Sequence, residues 1–172
     1  AVGEAGAKAA ILVAGEPAEA FARQMNQVGL VNVKYFSSTV GEASQVKMLR
    51  SIFSKGVECL LLEMLVAGKR AGLADYLWKD IVDFMTKHPF QGIAENWIKT
   101  HPGASVRRYH EMEQVLETLQ ELGIDPVMTR GTTEFFRQST ESGIAKRFNG
   151  KPDDFWAVPE ELEKSGRPTP SR

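Results

Sequence analysis

Apolar and polar positions divide the chain into a short alternating β/α opening and a long helical remainder. Ala9 to Ala14 is an apolar run closed by Gly15, which predicts a buried strand. Pro17 stands where a first helical turn tolerates proline. From Ala18 to Val28 the residues Ala18, Phe21, Ala22, Met25 and Val28 share one helical face, and Gly29 is placed to cap it. Val31 to Phe36 alternates and is β-branched or aromatic, which predicts a second strand. Strand, helix, strand at this spacing is the edge of an α/β sheet, and two strands alone do not make a stable one.

Beyond Thr39 the period becomes helical. Val46, Leu49, Phe53, Val57, Leu60, Met64 and Ala67 recur at spacings of three and four, predicting one long helix from about Gly41 to Gly72. Ile52, Leu61 and Leu65 widen the stripe, so burial on more than one side is expected. Asp75 is placed to cap a helix reaching Lys87, which His88-Pro89 ends. Phe90 to Thr100 reads as a shorter helix and Pro102-Gly103 as a break. Ser105 then caps a helix carrying Met112, Val115, Leu116, Leu119 and Leu122, stopped by Gly123. Thr129, with Thr132 or Thr133, opens a last helix to about Phe148. Asn149 to Arg172 holds Pro152, Pro159, Pro168 and Pro170 and reads as a docked or frayed tail. The expected architecture is mainly α, a helical bundle organised on one long helix and preceded by a β-α-β remnant. The expected segments are 1–40, 41–150 and 151–172.

Composition narrows the functions open to such a fold. The chain has 172 residues and a net charge of −1. No basic excess points to nucleic acid or to a membrane surface, and no run is long and apolar enough to span a bilayer. The single cysteine, Cys59, excludes an intrachain disulfide; its apolar neighbours predict a buried thiol, and a reducing cytoplasm fits it. No His/Asp/Glu spacing makes a metal site, so none is expected. His88 and His101 precede prolines at expected helix ends, where a capping or solvent role fits. The chain opens on Ala1 and reads as if cut from something longer.

The stretch with most chemistry is Gly41 to Ser51. Ser37, Ser38, Thr39 and Gly41 lead into it, placing Ser44 and Lys47 in the first turns of the long helix. Lys47, Ser51, Ser54, Lys55 and Glu58 share a polar strip opposite the apolar stripe. Such a strip is either a solvated face with a weak ion pair or a surface that meets water or a ligand. The helix start offers N–H groups and a positive dipole end to a carboxylate or phosphate, and a lysine there can shuttle a proton.

The G-x-x-x-x-x-K-M pattern from Gly41 to Met48, followed by a long apolar helix, resembles the 3-hydroxyacid dehydrogenase superfamily, which includes 6-phosphogluconate and 3-hydroxyisobutyrate dehydrogenases. The run from Ser44 to Glu63 looks closest to a branch of 6-phosphogluconate dehydrogenase-like oxidoreductases with K-M-x-R-S at this place. The resemblance implies that Lys47 is the general acid/base. The substrate-holding asparagine of the family falls on Ser51, a departure, and Ser44, Ser51 and Gly41 become the implied substrate-binding residues. Ala1-Val2-Gly3 and Ile11 to Gly15 look like the last strands of the family's Rossmann-type dinucleotide-binding domain. Counting back from Gly123 sets His110-Glu111 where many relatives carry Lys-Asp near the cofactor, so His110 is the implied cofactor-side residue. The glycine-rich G-x-G-x-x-G loop is not in the sequence. The resemblance thus implies the C-terminal portion of an NAD- or NADP-dependent enzyme acting on a small hydroxy acid, dimeric through its helical half, cytoplasmic and inactive as this piece alone. The rival readings are a non-catalytic helical interaction domain and a small-molecule binding module derived from such an enzyme.

Overall fold

A computed structural model describes residues 9–29 and 32–165 of the chain. Ala1-Val2-Gly3, Val31 and Pro168 and Pro170 lie outside the described residues. The fold is mainly α, with a two-stranded parallel sheet near its start. By internal contacts the chain divides into two units, Ala1–Glu58 and Cys59–Arg172.

In the first unit β1 (Ile11–Ala14) leads through α1 (Ala18–Gln27) to β2 (Val33–Ser37). The strands pair in parallel, Ile11 opposite Val33, with a slip in register after Val13. α1 covers the sheet with Ala18 and Ala22, which are buried with Val33. Phe21 and Val28, expected on the same inward face, are exposed. Two strands offer too little surface to cover a full helical stripe. Asn26 closes the unit from the helix: its Nδ2 donates to the Val33 carbonyl (2.9 Å) and its Oδ1 accepts from the Val33 N–H (3.1 Å).

The long helix α2 spans Glu42–Ala71 and runs from the first unit into the second. It ends as expected at Gly72, whose φ of +73° suits a residue without Cβ. The Leu73 N–H bonds back to the Gly68 carbonyl and the Gly72 N–H to that of Lys69, a Schellman cap. The wide apolar stripe is not covered on every side. Only Gly68 of this helix is buried.

The second unit holds the end of α2, then α3 (Ala74–Lys87), α4 (Phe90–Glu121), α5 (Val127–Glu141), a 3-10 turn (Ile144–Arg147) and α6 (Ala157–Lys164). Gly68 lets α2 meet the start of α3: a Cβ there would lie 2.9 Å from Leu77 Cδ1 and 3.1 Å from Ala74 Cα. Leu73 rather than Asp75 occupies the N-cap of α3 and makes no side-chain cap bond. α4 packs on α5, and the 3-10 turn and α6 close over them, with Ile144 and Val158 nearly fully buried.

Three expectations change in this unit. Pro102-Gly103 does not end a helix, because α4 runs unbroken through it. The chain bends there instead. Along a straight helix residues 97 and 108 stand about 16 Å apart, farther than an arginine side chain reaches. Arg108 Nη1 nevertheless donates to the Trp97 carbonyl (3.3 Å) and Nη2 to Thr100 Oγ1 (2.8 Å). Proline removes one helical N–H and crowds the carbonyl a turn earlier, which bends a helix. Ser105 caps nothing; it is buried in mid-helix, its hydroxyl donating to the Pro102 carbonyl. α5 stops at Glu141 rather than near Phe148, because Gly143 turns the chain at φ +71°. In the proline-rich tail, α6 docks through Val158 and an Arg147–Glu161 ion pair (2.9 Å).

Two long-range polar contacts join helix ends in this unit. The Glu63 carboxylate on α2 accepts the N–H groups of Met128 (2.7 Å) and Thr129 (2.9 Å) and the Thr129 hydroxyl (2.6 Å), capping α5 from another helix. Burial raises the Glu63 pKa, but these three bonds, with Arg130 nearby, outweigh it and hold the carboxyl below its usual range. Arg70 donates to the Leu122 carbonyl (2.8 Å) and to that of Gly123, at the negative end of α4.

Candidate functional site

The structure places Gly41, Ser44, Lys47 and Ser51 together at the head of α2. Gly41 has φ +95°, a conformation that favours glycine, and its carbonyl accepts the Gln45 N–H as the first bond of the helix. Ser44, Lys47 and Ser51 follow at spacings of three and four, so they share one face.

Lys47 and Ser44 are exposed and Ser51 is half-buried. The Lys47 ammonium makes no hydrogen bond or ion pair with any described residue. The Ser51 hydroxyl donates to the Lys47 backbone carbonyl (2.9 Å), leaving its lone pairs for an incoming donor. Farther along the strip Lys55 and Glu58 form an exposed pair at 3.4 Å. Glu42 lies in the first turn. Its carboxylate stabilises the dipole end and weakens the attraction of that end for a second anion. The flanking positions are apolar and uncovered: Met48, Leu49, Ile52 and Phe53 are 57–72% exposed.

His110 lies in the other unit, exposed on α4. Its Nδ1 meets Glu113 Oε2 at 2.9 Å, and its ring lies 5.3 Å from that of Tyr109. Glu113 is held below the usual carboxylate range by the Tyr109 hydroxyl first and by His110 second. The adjacent Glu111 pairs with Arg107.

Other residues stand where the sequence did not put them. Cys59, expected to be buried, is exposed, because no described residue covers that side of α2. His101, expected at a helix end, is buried in mid-α4, stacked on Phe136 (5.5 Å) and edge-on to Phe135 (5.9 Å). It lines a cavity of about 520 Å³ within the second unit that the sequence reading missed. The spacing of Trp97, His101, Ser105 and Arg108 sets them on one face, a signal that holds only because the helix continues through Pro102. Among the described residues no helix is long and apolar enough to cross a membrane, and no group of three or more His, Cys, Asp or Glu could hold a metal.

Comparison with known proteins matches residues 69–139 to a family model described as a domain of unknown function, DUF1932. The matched stretch runs from the end of α2 through most of α5 and leaves the head of α2 outside it. A curated relative, the uncharacterized 28.5 kDa protein in the 7S RNA 5′ region of Methanothermus fervidus, is 29% identical over 111 residues, covering 64% of this chain and 44% of that protein. A solved structure of a conserved hypothetical protein from Sinorhizobium meliloti 1021 is 27% identical, with a TM-score of 0.42, over 96% of this chain and 55% of that one. A second, of the conserved protein MTH1747, is 33% identical, with a TM-score of 0.44, over 82% of this chain and 53% of that one. MTH1747 is described as a protein of unknown function with structural similarity to 3-hydroxyacid dehydrogenases. The chain spans about half the length of these relatives.

Proposed function

We propose that the chain is the substrate-side portion of an NAD(P)-dependent dehydrogenase acting on a small hydroxy acid, 3-hydroxyacid or phosphogluconate-like. The observation that carries this reading is the setting of Lys47. It stands about one and a half turns into a 30-residue helix, on one face with Ser44 and Ser51, within the K-M-L-R-S run. Lys47 takes or returns the proton of the substrate hydroxyl. Ser44, the Ser51 oxygen and the N–H groups after Gly41 orient the substrate's acid group.

The described residues do not form a nicotinamide site. The sequence lacks the glycine-rich loop, and the nearest cofactor-side candidate, His110, is engaged by Glu113. NAD or NADP is therefore assigned to the longer protein, and only the proton's path belongs to this chain. On this reading residues 1–40 are the edge of the dinucleotide-binding domain, 41–150 the substrate and dimerisation domain, and 151–172 its tail. The setting is cytoplasmic, and the chain by itself does not turn over.

The uncovered apolar residues beside Lys47 support a homodimer through the helical half. The same residues favour the second reading, a helical interaction domain without catalysis. The longer protein incubated with NAD or NADP and a panel of 3-hydroxyacids and phosphogluconate separates the two. Substrate-dependent appearance of reduced nicotinamide is expected. Association of copies with no reduction by any member of the panel supports the interaction domain instead.

A further inference from the structure

The second unit carries two adjoining hollows that share one residue, Arg108. The first is the apolar cavity of about 520 Å³, walled by Trp97, His101, Phe135, Phe136, Val158 and Leu162 from α4, α5 and α6. The second is a polar groove of about 410 Å³ that includes Asn96, Lys99, Thr100, Arg107 and Lys151. Arg108 lines both.

Among the described residues, three cations of the groove have no ion pair. Arg107, Arg130, Arg137 and Arg147 of this unit each hold a carboxylate. Arg108 donates to neutral acceptors, the Trp97 carbonyl and Thr100 Oγ1, and Glu111, the carboxylate that acts on it from nearby, is already paired with Arg107. Lys151 likewise donates to Asn96 Oδ1 (2.9 Å), and Lys99 is half-buried. None of Lys99, Arg108 and Lys151 has an ion pair with a described residue. Burial, and behind it the neighbouring Arg107, push the Arg108 guanidinium below the usual arginine range. A partly desolvated guanidinium that lines one groove with two ammonium groups lacking ion pairs binds an anion well, and a multiply charged one best. The aromatic walls beside it favour an apolar ring or chain. The bend at Pro102 fixes the arrangement, because it carries Arg108 back beside Trp97 and Thr100.

We propose that the two hollows hold one ligand, a phosphate monoester with an apolar body, its head on Lys99, Arg108 and Lys151 and its body among Trp97, Phe135 and Phe136. This site is independent of the reading of Lys47, and its test involves no turnover.

The probe is mono-octyl phosphate, added below its aggregation concentration to the full chain carrying Trp78→Phe and Trp156→Phe, so that emission reports Trp97 alone. A saturable change in emission is expected, with octanol and inorganic phosphate each binding at least about tenfold more weakly. Arg108→Gln should weaken binding about tenfold or more, the scale of one lost charge-assisted bond. Because Arg108 also spans the bend, Lys99→Gln provides a second reading. It should weaken binding about threefold at unchanged thermal stability. No saturable change, equal binding of octanol, or an affinity unmoved by Lys99→Gln and by a folded Arg108→Gln would overturn the proposal.

Discussion

Replacing Glu63 by alanine removes three hydrogen bonds from the first turn of α5 at once. The carboxylate is half-buried, and it caps a helix that lies more than sixty residues farther along the chain. A lost N-cap costs about 1 kcal/mol. Leaving the Met128 and Thr129 N–H groups without acceptors in a partly buried place adds roughly 1–2 kcal/mol. The substitution should therefore destabilise the second unit by about 2–3 kcal/mol. Glu63→Gln, which keeps an acceptor oxygen but loses the charge, should cost about half as much. Urea unfolding followed by tryptophan emission isolates this unit, because Trp78, Trp97 and Trp156 all lie within it. The sign of the pH dependence follows from the lowered folded pKa. The stabilisation is complete above the unfolded carboxyl value of about 4.3, and it is lost as pH falls through the folded value. That loss should be absent in Glu63→Gln. An unfolding midpoint for Glu63→Ala equal to that of the parent, at unchanged slope, would refute the reasoning.

Two further substitutions test close contacts. Gly68→Ala sets a methyl 3.1 Å from the Ala74 backbone; overpacking of about 1–3 kcal/mol should outweigh a helix-propensity gain of about 1 kcal/mol. A net loss of stability in the same urea assay is expected, and a gain would show that α3 can move away. Asn26→Ala removes both bonds to Val33, at a cost of about 1–2 kcal/mol. Hydrogen exchange at the Val33 amide should accelerate, and unchanged protection there would count against the clasp.

What the sequence revealed depended on how local the deciding interactions were. The bounds of α2 were readable because an uninterrupted apolar period lies between Gly41 and Gly72, and both glycines act through their own backbone angles. The head of α2 was readable as well, since Ser44, Lys47 and Ser51 share a face by helical geometry alone. Pro102 misled because its local preference to end a helix is overridden by burial: Pro102, Ser105 and His101 pack inside the unit, with His101 against Phe135 and Phe136. The roles of Glu63 and Arg70 were not visible, because each acts on a helix end more than fifty residues away. α6 was hidden among prolines, although Pro159 stands in its first turn, where proline is tolerated. The exposure of Cys59 and of the apolar stripe beside Lys47 depends on what covers α2, which no periodicity within the chain reports.

The central claim is that Lys47 moves the proton of the substrate hydroxyl. The direct test is steady-state kinetics of the longer protein, wild type beside Lys47→Ala, with cofactor affinity measured separately. The predicted result is a fall in kcat of about 10²- to 10⁴-fold, the usual contribution of general acid–base catalysis, with cofactor affinity essentially unchanged. An unaltered kcat would remove Lys47 from the mechanism and leave the head of α2 as a solvated polar strip.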